Sequence, residues 1–274
     1  MPLLYILILA VVQGITEFLP ISSSGHLVLT WQAIAAFDPS AVVYSGAERL
    51  DLDISVHVGT LIAVLCYLWR DIAGLVGGTF KLVQGRDDPR GRLALYVVAA
   101  TIPVVVVGFL AKDWVGLHLR GVEIVAWANI GFALLLWLSD RLGLLIQRLE
   151  HMTFGQAMIV GFAQVLALIP GTSRAGITMT AARFLGYERR EAARFSLLLA
   201  IPAIAGAGVL VGKDLYESGN LALGSDVLVG VGLSFVTALV AIALMMRWLE
   251  RASFLPFVIY RLLLGAVLLG LLYL

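Results

Sequence analysis

Charge is what this sequence lacks most. Only 14% of its 274 residues are Asp, Glu, Lys or Arg, against 61% hydrophobic, and mean hydropathy is +0.98. A soluble domain carries roughly 25% charged and about 45–50% apolar residues, so the apolar excess excludes a water-facing globular fold. Cysteine is nearly absent. Cys66 stands alone in an apolar run, which leaves neither a disulfide nor a thiolate metal cluster. A formal net charge of +1 and the lack of a basic tract exclude nucleic acid as a partner. Extended polar sequence is missing too: the longest markedly polar stretch is about 86–92, so no soluble domain is expected. The apolar N-terminus, Met1 to Val12, has no basic residues before it and no small-residue cleavage site after it. It reads as a retained segment, not a signal peptide.

What is present is long hydrophobic runs. A bilayer-spanning helix needs about 20 mostly apolar residues. Six stretches qualify, at about 52–70, 93–111, 122–140, 192–212, 226–247 and 255–274. Two further apolar regions, 1–36 and 154–186, are interrupted by Pro20-Ile21-Ser22-Ser23-Ser24-Gly25 and by Pro170-Gly171-Thr172-Ser173-Arg174-Ala175-Gly176. Each predicts a short helix, a break and a second short helix. Irregular backbone at membrane depth survives only where protein or a wet cavity satisfies its polar groups, so both regions are expected to be re-entrant hairpins. The expected fold is all-α: a polytopic bundle of six full spans plus two broken-helix hairpins.

Basic residues orient the bundle. Arg70, Lys81, Arg86, Arg90 and Arg92 lie in one connection; Arg141 and Arg148, Arg183 to Arg194, and Arg247 with Arg251 lie in three others. The alternate connections are poorer, with Lys112 and Arg120 in one and Lys213 in the other. With the rich set cytoplasmic, the segment around Pro20 enters from outside and that around Pro170 from inside. This predicts inverted-topology repeats, about 1–111 and 154–247, followed by a final helix at 255–274. Such an arrangement puts a binding site near the midplane between broken helices.

The breaks carry the chemistry. Ser22, Ser23, Ser24, Thr172 and Ser173 sit where helix N-caps belong. Two helix N-termini meeting at depth make an anion site. Arg174 adds a planar fork matched to phosphate; its alternative partner is Glu17 or a backbone carbonyl. Gln13 and Glu17, four apart, share a helix face. Glu17 is a candidate general base or ligand to a divalent cation, with Gln13 beside it, or else a brace for the break. Thr16 is expected to bond its own preceding turn. His26 can serve as acid, base or nucleophile, or simply as a hydrogen-bonding core residue. Ser23 is a candidate attacking hydroxyl, with His26 or Glu17 taking its proton. Ser173 is a cap or phosphate ligand. Thr178 shares the Arg174 face but equally suits a bond to its own backbone. Asp53 and His57, one turn apart, are two potential metal ligands and too few for a site. Arg261 is expected to pair internally and lock helix packing.

Taken together, Gln13-Gly14-Ile15-Thr16-Glu17-Phe18-Leu19-Pro20 with Ser22-Ser23 and Gly25-His26, and Pro170-Gly171, Ser173-Arg174, Gly176 and Thr178, resemble the undecaprenyl-diphosphatase family, also called the bacitracin-resistance proteins. The similarity continues through Arg194-Phe195-Ser196-Leu197-Leu198-Leu199-Ala200 with Pro202, and Ser253-Phe254-Leu255-Pro256-Phe257 to Tyr260-Arg261, so it runs nearly end to end. The resemblance implies hydrolysis of undecaprenyl diphosphate to the monophosphate at the outer side of the bacterial cytoplasmic membrane. That reaction recycles the lipid carrier of peptidoglycan synthesis and lowers bacitracin sensitivity. It also implies that Arg174 grips the diphosphate, that Glu17 and His26 serve catalysis, that Ser23 is nucleophile or ligand, and that Mg²⁺ or Ca²⁺ assists. Ser22, Ser24, Thr172, Ser173 and Thr178 are the expected substrate-binding residues, and Gln13 with Glu17 the expected cation ligands. Three positions depart from the pattern. Gln13 stands where many relatives carry a second Glu, which weakens any role needing two carboxylates. Thr172 and Ala175 stand where other residues also occur. The expected partners are the prenyl diphosphate and bilayer lipid, and the only protein partner considered is a second copy of the chain. The competing reading is a transporter or flippase of a phosphorylated lipid, since inverted repeats with broken helices are common in transporters.

Overall fold

A computed structural model describes residues 3–38, 46–119, 121–218 and 221–273, and its side chains except at 46–54, 112–113, 116, 207–218 and 221–227. Among these residues the chain is helical throughout, with no strand and a single isolated bridge between Gln147 and Tyr187. In chain order the helices are α1 (Leu3–Thr16), α2 (Ser23–Phe37), α3 (Gly46–Tyr67), α4 (Trp69–Val83), α5 (Pro89–His118), α6 (Val122–Leu142), α7 (Phe154–Val165), α8 (Arg174–Phe184), α9 (Arg189–Ser218), α10 (Leu221–Trp248) and α11 (Leu255–Tyr273).

Four stretches are long and apolar enough to cross a bilayer: Pro89–Ala111, Val122–Leu142, Leu228–Trp248 and Leu255–Tyr273. The pair Ser55–Tyr67 and Trp69–Val83 passes the same test together, but it is bent by 76° at Leu68. The run expected at 52–70 is thus continued by a second helix where sequence suggested only a basic connection. The run expected at 192–212 lies inside α9, partly beyond the described side chains.

Both interrupted regions take the expected form of helix, break and helix. α1 stops at Thr16 and α2 starts at Ser23; α7 runs into a single 3₁₀ turn, Leu166–Leu168, and α8 starts at Arg174. The starts of α2 and α8 are built alike. Ser22 (φ 75°) and Ser173 (φ 70°) are the only described non-glycine residues with positive φ. Each hydroxyl accepts from the backbone N–H of a glycine three residues on, Gly25 at 3.4 Å and Gly176 at 3.1 Å. This satisfies an N–H that the first helical turn leaves unpaired.

Lipid is as apolar as a leucine, so helix association in a bilayer rests on close fit more than on the hydrophobic effect. A Cβ on Gly59 would lie 2.0 Å from Ser234 Oγ, and one on Gly14 would lie 1.8 Å from Thr237 Oγ1. These two bare backbones seat α3 and α1 against α10. At the other end of the bundle, the fully buried Arg183 on α8 donates to Asp140 Oδ1 (3.2 Å) and to the carbonyls of Gly143 and Leu144 (2.8 Å each), and also to the carbonyl of Tyr187. Asp140 also accepts from Arg189 Nε at 2.7 Å and from the Phe254 N–H at 3.3 Å, so one carboxylate ties α6, α8, α9 and the start of α11.

Candidate active site

The two breaks meet. Arg261, fully buried on α11, donates to Pro20 O (3.3 Å) in the first break and to Gly171 O and Thr172 O (2.9 Å each) in the second. The internal pairing expected of Arg261 is therefore present, and its place is the seam between the breaks. Gly171 (φ 95°) packs so tightly on α6 that a Cβ there would lie 2.5 Å from Val125 O.

Glu17, buried where the first break begins, is the hub. Its Oε1 accepts from Arg174 Nη2 at 2.8 Å; its Oε2 accepts from Ser23 Oγ at 2.7 Å and from Gln13 Nε2 at 2.8 Å. Four residues singled out in the sequence thus converge, from α1, α2 and α8. Of the partners open to Arg174, the side chain takes Glu17. Arg174 Nη1 nevertheless stays buried and has no hydrogen-bond partner, and Gln13 Oε1 is in the same condition. An unpaired buried donor is costly, on the order of 1–3 kcal/mol or more when charged. Arg174 Nη1 is a donor waiting for an acceptor.

One group was missed. His57, on α3, brings Nε2 to 3.7 Å from Glu17 Oε2. The sequence suggested it only as a partner of Asp53, whose side chain lies outside the described residues. His57 is forty residues along the chain from Glu17, so no local spacing links them.

His26, one turn into α2, stacks on Tyr260 at 5.6 Å between ring centroids. Its Nδ1 lies 2.7 Å from Ser22 O and its Nε2 lies 2.5 Å from the Tyr260 hydroxyl. A carbonyl only accepts, so Nδ1 carries the proton, and in the neutral ring Nε2 accepts from Tyr260. Tyr260 entered the sequence reading only as part of the family-like run ending in Arg261. It is the partner that fixes this imidazole.

The remaining expectations divide. Ser22 and Ser173 are occupied as caps, and Ser24 is exposed at the rim with its Oγ 3.5 Å from Ser22 Oγ. Thr172 is fully buried, its hydroxyl without a partner. Thr178 turns to α9, donating to Arg174 O (2.9 Å) and paired with Ser196 Oγ (2.8 Å). Thr16 donates to Val12 O at 2.7 Å, the back-bond expected of it. No group of three or more His, Cys, Asp or Glu side chains capable of holding a metal is found among the described residues. Glu17 and Gln13 offer one carboxylate and one unpaired amide oxygen, hard donors suited to Mg²⁺ or Ca²⁺ but too few to hold the ion without further oxygens.

Chemically, the cluster pairs a hydroxyl with a carboxylate at hydrogen-bond distance and sets a guanidinium on the carboxylate's other oxygen. The first residues of two helices, Ser23 and Arg174, both bond this carboxylate. That is equipment for an anion and for activating an attacking oxygen.

Comparison with known proteins agrees. The family model described as "Bacitracin resistance protein BacA" matches residues 6–267. The chain is 48% identical over 275 residues to "Undecaprenyl-diphosphatase 1" of Rhodospirillum rubrum, covering 100% of this chain and 96% of that protein. It is 47% identical to the undecaprenyl-diphosphatase of Maricaulis maris, with 98% of each chain covered, and 44% identical to that of Ruegeria pomeroyi, with 100% of each covered. By motif, by extent and by identity, the chain belongs to the bacitracin resistance protein BacA family.

Proposed function

We infer that this protein hydrolyses undecaprenyl diphosphate to undecaprenyl phosphate and inorganic phosphate, returning the lipid carrier to cell-wall synthesis. Membership of the family and relatives of that name over the full chain support the reaction. The observation that carries it at residue level is Ser23 Oγ on Glu17 Oε2 at 2.7 Å beside an Arg174 nitrogen with nothing to bond. The terminal phosphate of the substrate lies against Arg174 Nη1 and the first turns of α2 and α8. Ser23 Oγ attacks the terminal phosphorus, passing its proton to Glu17. The new Oγ–P bond forms as the bridging P–O bond breaks, and the lipid leaves as its monophosphate. Water then cleaves the phosphoseryl bond and releases inorganic phosphate. Phosphoryl transfer asks mainly for positioning and charge stabilisation, which Arg174 and the helix ends supply. His26, held by Tyr260 with its proton on Nδ1 against Ser22 O, presents Nε2 as a base and takes the proton of the water that cleaves the phosphoseryl bond. Glu17 and Gln13 would hold a divalent cation through their oxygens, and such an ion would neutralise phosphate charge there.

The framework proposed for this site is the inverted repeat in the bacterial cytoplasmic membrane, with six full spans, α3, α5, α6, α9, α10 and α11, and two re-entrant hairpins, α1–α2 and α7–α8. At one constant spacing, Gln13, Ser22, Ser23 and Gly25 fall on Gln164, Ser173, Arg174 and Gly176. The packing supports the same pairing: α1 lies on α10 as α7 lies on α5, α3 packs on α9, and α6 packs on α11. The α1–α10 contact is thus repeated as α7–α5, and α3 and α6 meet their own equivalents, as a two-fold axis in the membrane plane requires. Every group invoked comes from one chain.

The test is inorganic phosphate release from a prenyl diphosphate by the purified protein in detergent. Arg174→Ala is expected to lower kcat/KM by about 10³-fold or more, and Ser23→Ala to abolish a phosphoryl adduct that mass spectrometry finds on Ser23 of the active protein. Transport of the intact lipid between leaflets without phosphate release would overturn the enzymatic reading in favour of a transporter.

A further inference from the structure

A polar cavity of about 240 Å³ lies where α4, the start of α5 and α9 meet, away from the two breaks. Its wall carries Arg70, Asp71 and Gly74 of α4, Arg90 of α5 and Arg194 of α9. Arg194 is already held: its Nε donates to Asp71 Oδ2 at 3.2 Å, its Nη2 bonds the other carboxylate oxygen, and Glu191 lies 3.6 Å from its Nη1. Arg70 and Arg90 are different. Both are exposed, and neither has a carboxylate at ion-pair distance among the described residues; Arg70 lies 5.1 Å from the Trp69 ring. Arg90 is laid across the bare backbone of Gly74, where a Cβ would come within 3.1 Å of its Nη1. Arg194 is neutralised by Asp71 and Glu191, so the positive charge left at this cavity is that of Arg70 and Arg90.

α4 explains what reaches it. Trp69, Val76, Phe80 and Val83 are exposed and, at spacings of seven, four and three, share one face. The helix leaves Ser55–Tyr67 at 76°. A helix turned sharply off a span, apolar on one outward face and basic beside it, lies along the membrane surface with that face among acyl chains. Lipid headgroups then sit at the level of Arg70 and Arg90. A basic pocket between helices at this level is the setting in which anionic headgroups bind.

We propose that the Arg70–Arg90 cavity binds the phosphodiester headgroup of an anionic phospholipid of the cytoplasmic leaflet, with its acyl chains along the apolar face of α4. The choice of leaflet rests on the topology proposed above; the site itself shares no residue with the phosphatase chemistry. The test uses the full chain in neutral detergent. Native mass spectrometry and melting curves are recorded with phosphatidylglycerol, with phosphatidylcholine of the same acyl chains, and with inorganic phosphate.

Phosphatidylglycerol is expected to stay bound and raise the melting temperature. Arg70→Gln and Arg90→Gln are each expected to weaken its retention about fivefold, and together roughly 25-fold. Gly74→Leu displaces the Arg90 guanidinium without removing charge and is expected to weaken retention as well, which keeps the test informative if the double variant folds poorly. Phosphate release in detergent should be unchanged in all of these variants. Equal retention of phosphatidylglycerol by the double variant and by Gly74→Leu overturns the proposal, as does equal retention of phosphatidylcholine. Displacement of the lipid by equimolar inorganic phosphate would make this a free-anion site and equally overturn it.

Discussion

At the scale of single residues, Glu17 decides the chemistry because four side chains compete for its two oxygens. Arg174 holds one; Ser23 and Gln13 hold the other, with His57 beyond them at 3.7 Å. A carboxylate so surrounded is oriented before substrate arrives, which is the condition for a base to accept a proton along one direction. In the proposed reaction His57 acts through Glu17, as a positioning residue. His57→Ala is expected to lower kcat roughly ten- to a hundredfold with KM little changed, the usual range for groups that orient a reacting residue. His57→Gln keeps an N–H donor near the Nε2 position and should recover most of that loss. Equal kcat in the protein and in His57→Ala would remove this role. Gln13 and Glu17 could be paired from sequence because a helix puts i and i+4 on one face. His57 could not, because only packing brings α3 beside α1.

At the scale of elements, the two breaks work because a serine adopts a backbone that serine disfavours. Ser22 and Ser173 hold φ of 75° and 70°, and each is needed there for its cap bond. Two opposing terms follow. Losing the cap costs about 1 kcal/mol with Ala but only a few tenths with Gly, while positive φ costs roughly 1–2 kcal/mol in any residue with a Cβ. Ser173→Ala is therefore expected to lower the melting temperature in detergent, while Ser173→Gly should sit close to the unmodified protein. The reverse order would show that backbone strain is not what these positions manage. The motif of proline and small polar residues announced the breaks and the capping serines; nothing local announced their left-handed conformation. α4 was missed for a related reason. Its apolar residues fall on one helical face between basic ones, and a window tuned to continuous apolar runs reads such a stretch as a connection.

At the scale of the whole molecule, two buried arginines brace the helices, where Arg174 is the one the proposed reaction uses. Arg261 stitches the breaks to each other, and Arg183 with Asp140 stitches α6, α8, α9 and α11. Removing one partner of a buried pair strands the other, at about 3–5 kcal/mol. Arg183→Met should accordingly produce a large fall in melting temperature and in yield, with the KM of whatever folds unchanged. Arg174→Ala also strands a buried carboxylate, Glu17, and should lower the melting temperature too, but the protein that folds should lose turnover. Full turnover in folded Arg174→Ala would place both arginines in the framework.

Sequence by itself determined the solvent, the helical class, the two interruptions and the family. Each of these is written in local composition or in contiguous motifs, and an apolar run or a proline acts on its own neighbourhood wherever the chain goes. Tertiary structure alone decided that Arg174 meets Glu17, that Arg261 bridges Pro20 and Gly171, that Tyr260 fixes His26 and that His57 approaches the carboxylate. Those pairs lie on different helices, and the contact between them depends on close fits such as Gly59 and Gly14 against α10. Such fits set interhelical distance to within an ångström, and hydropathy does not encode them.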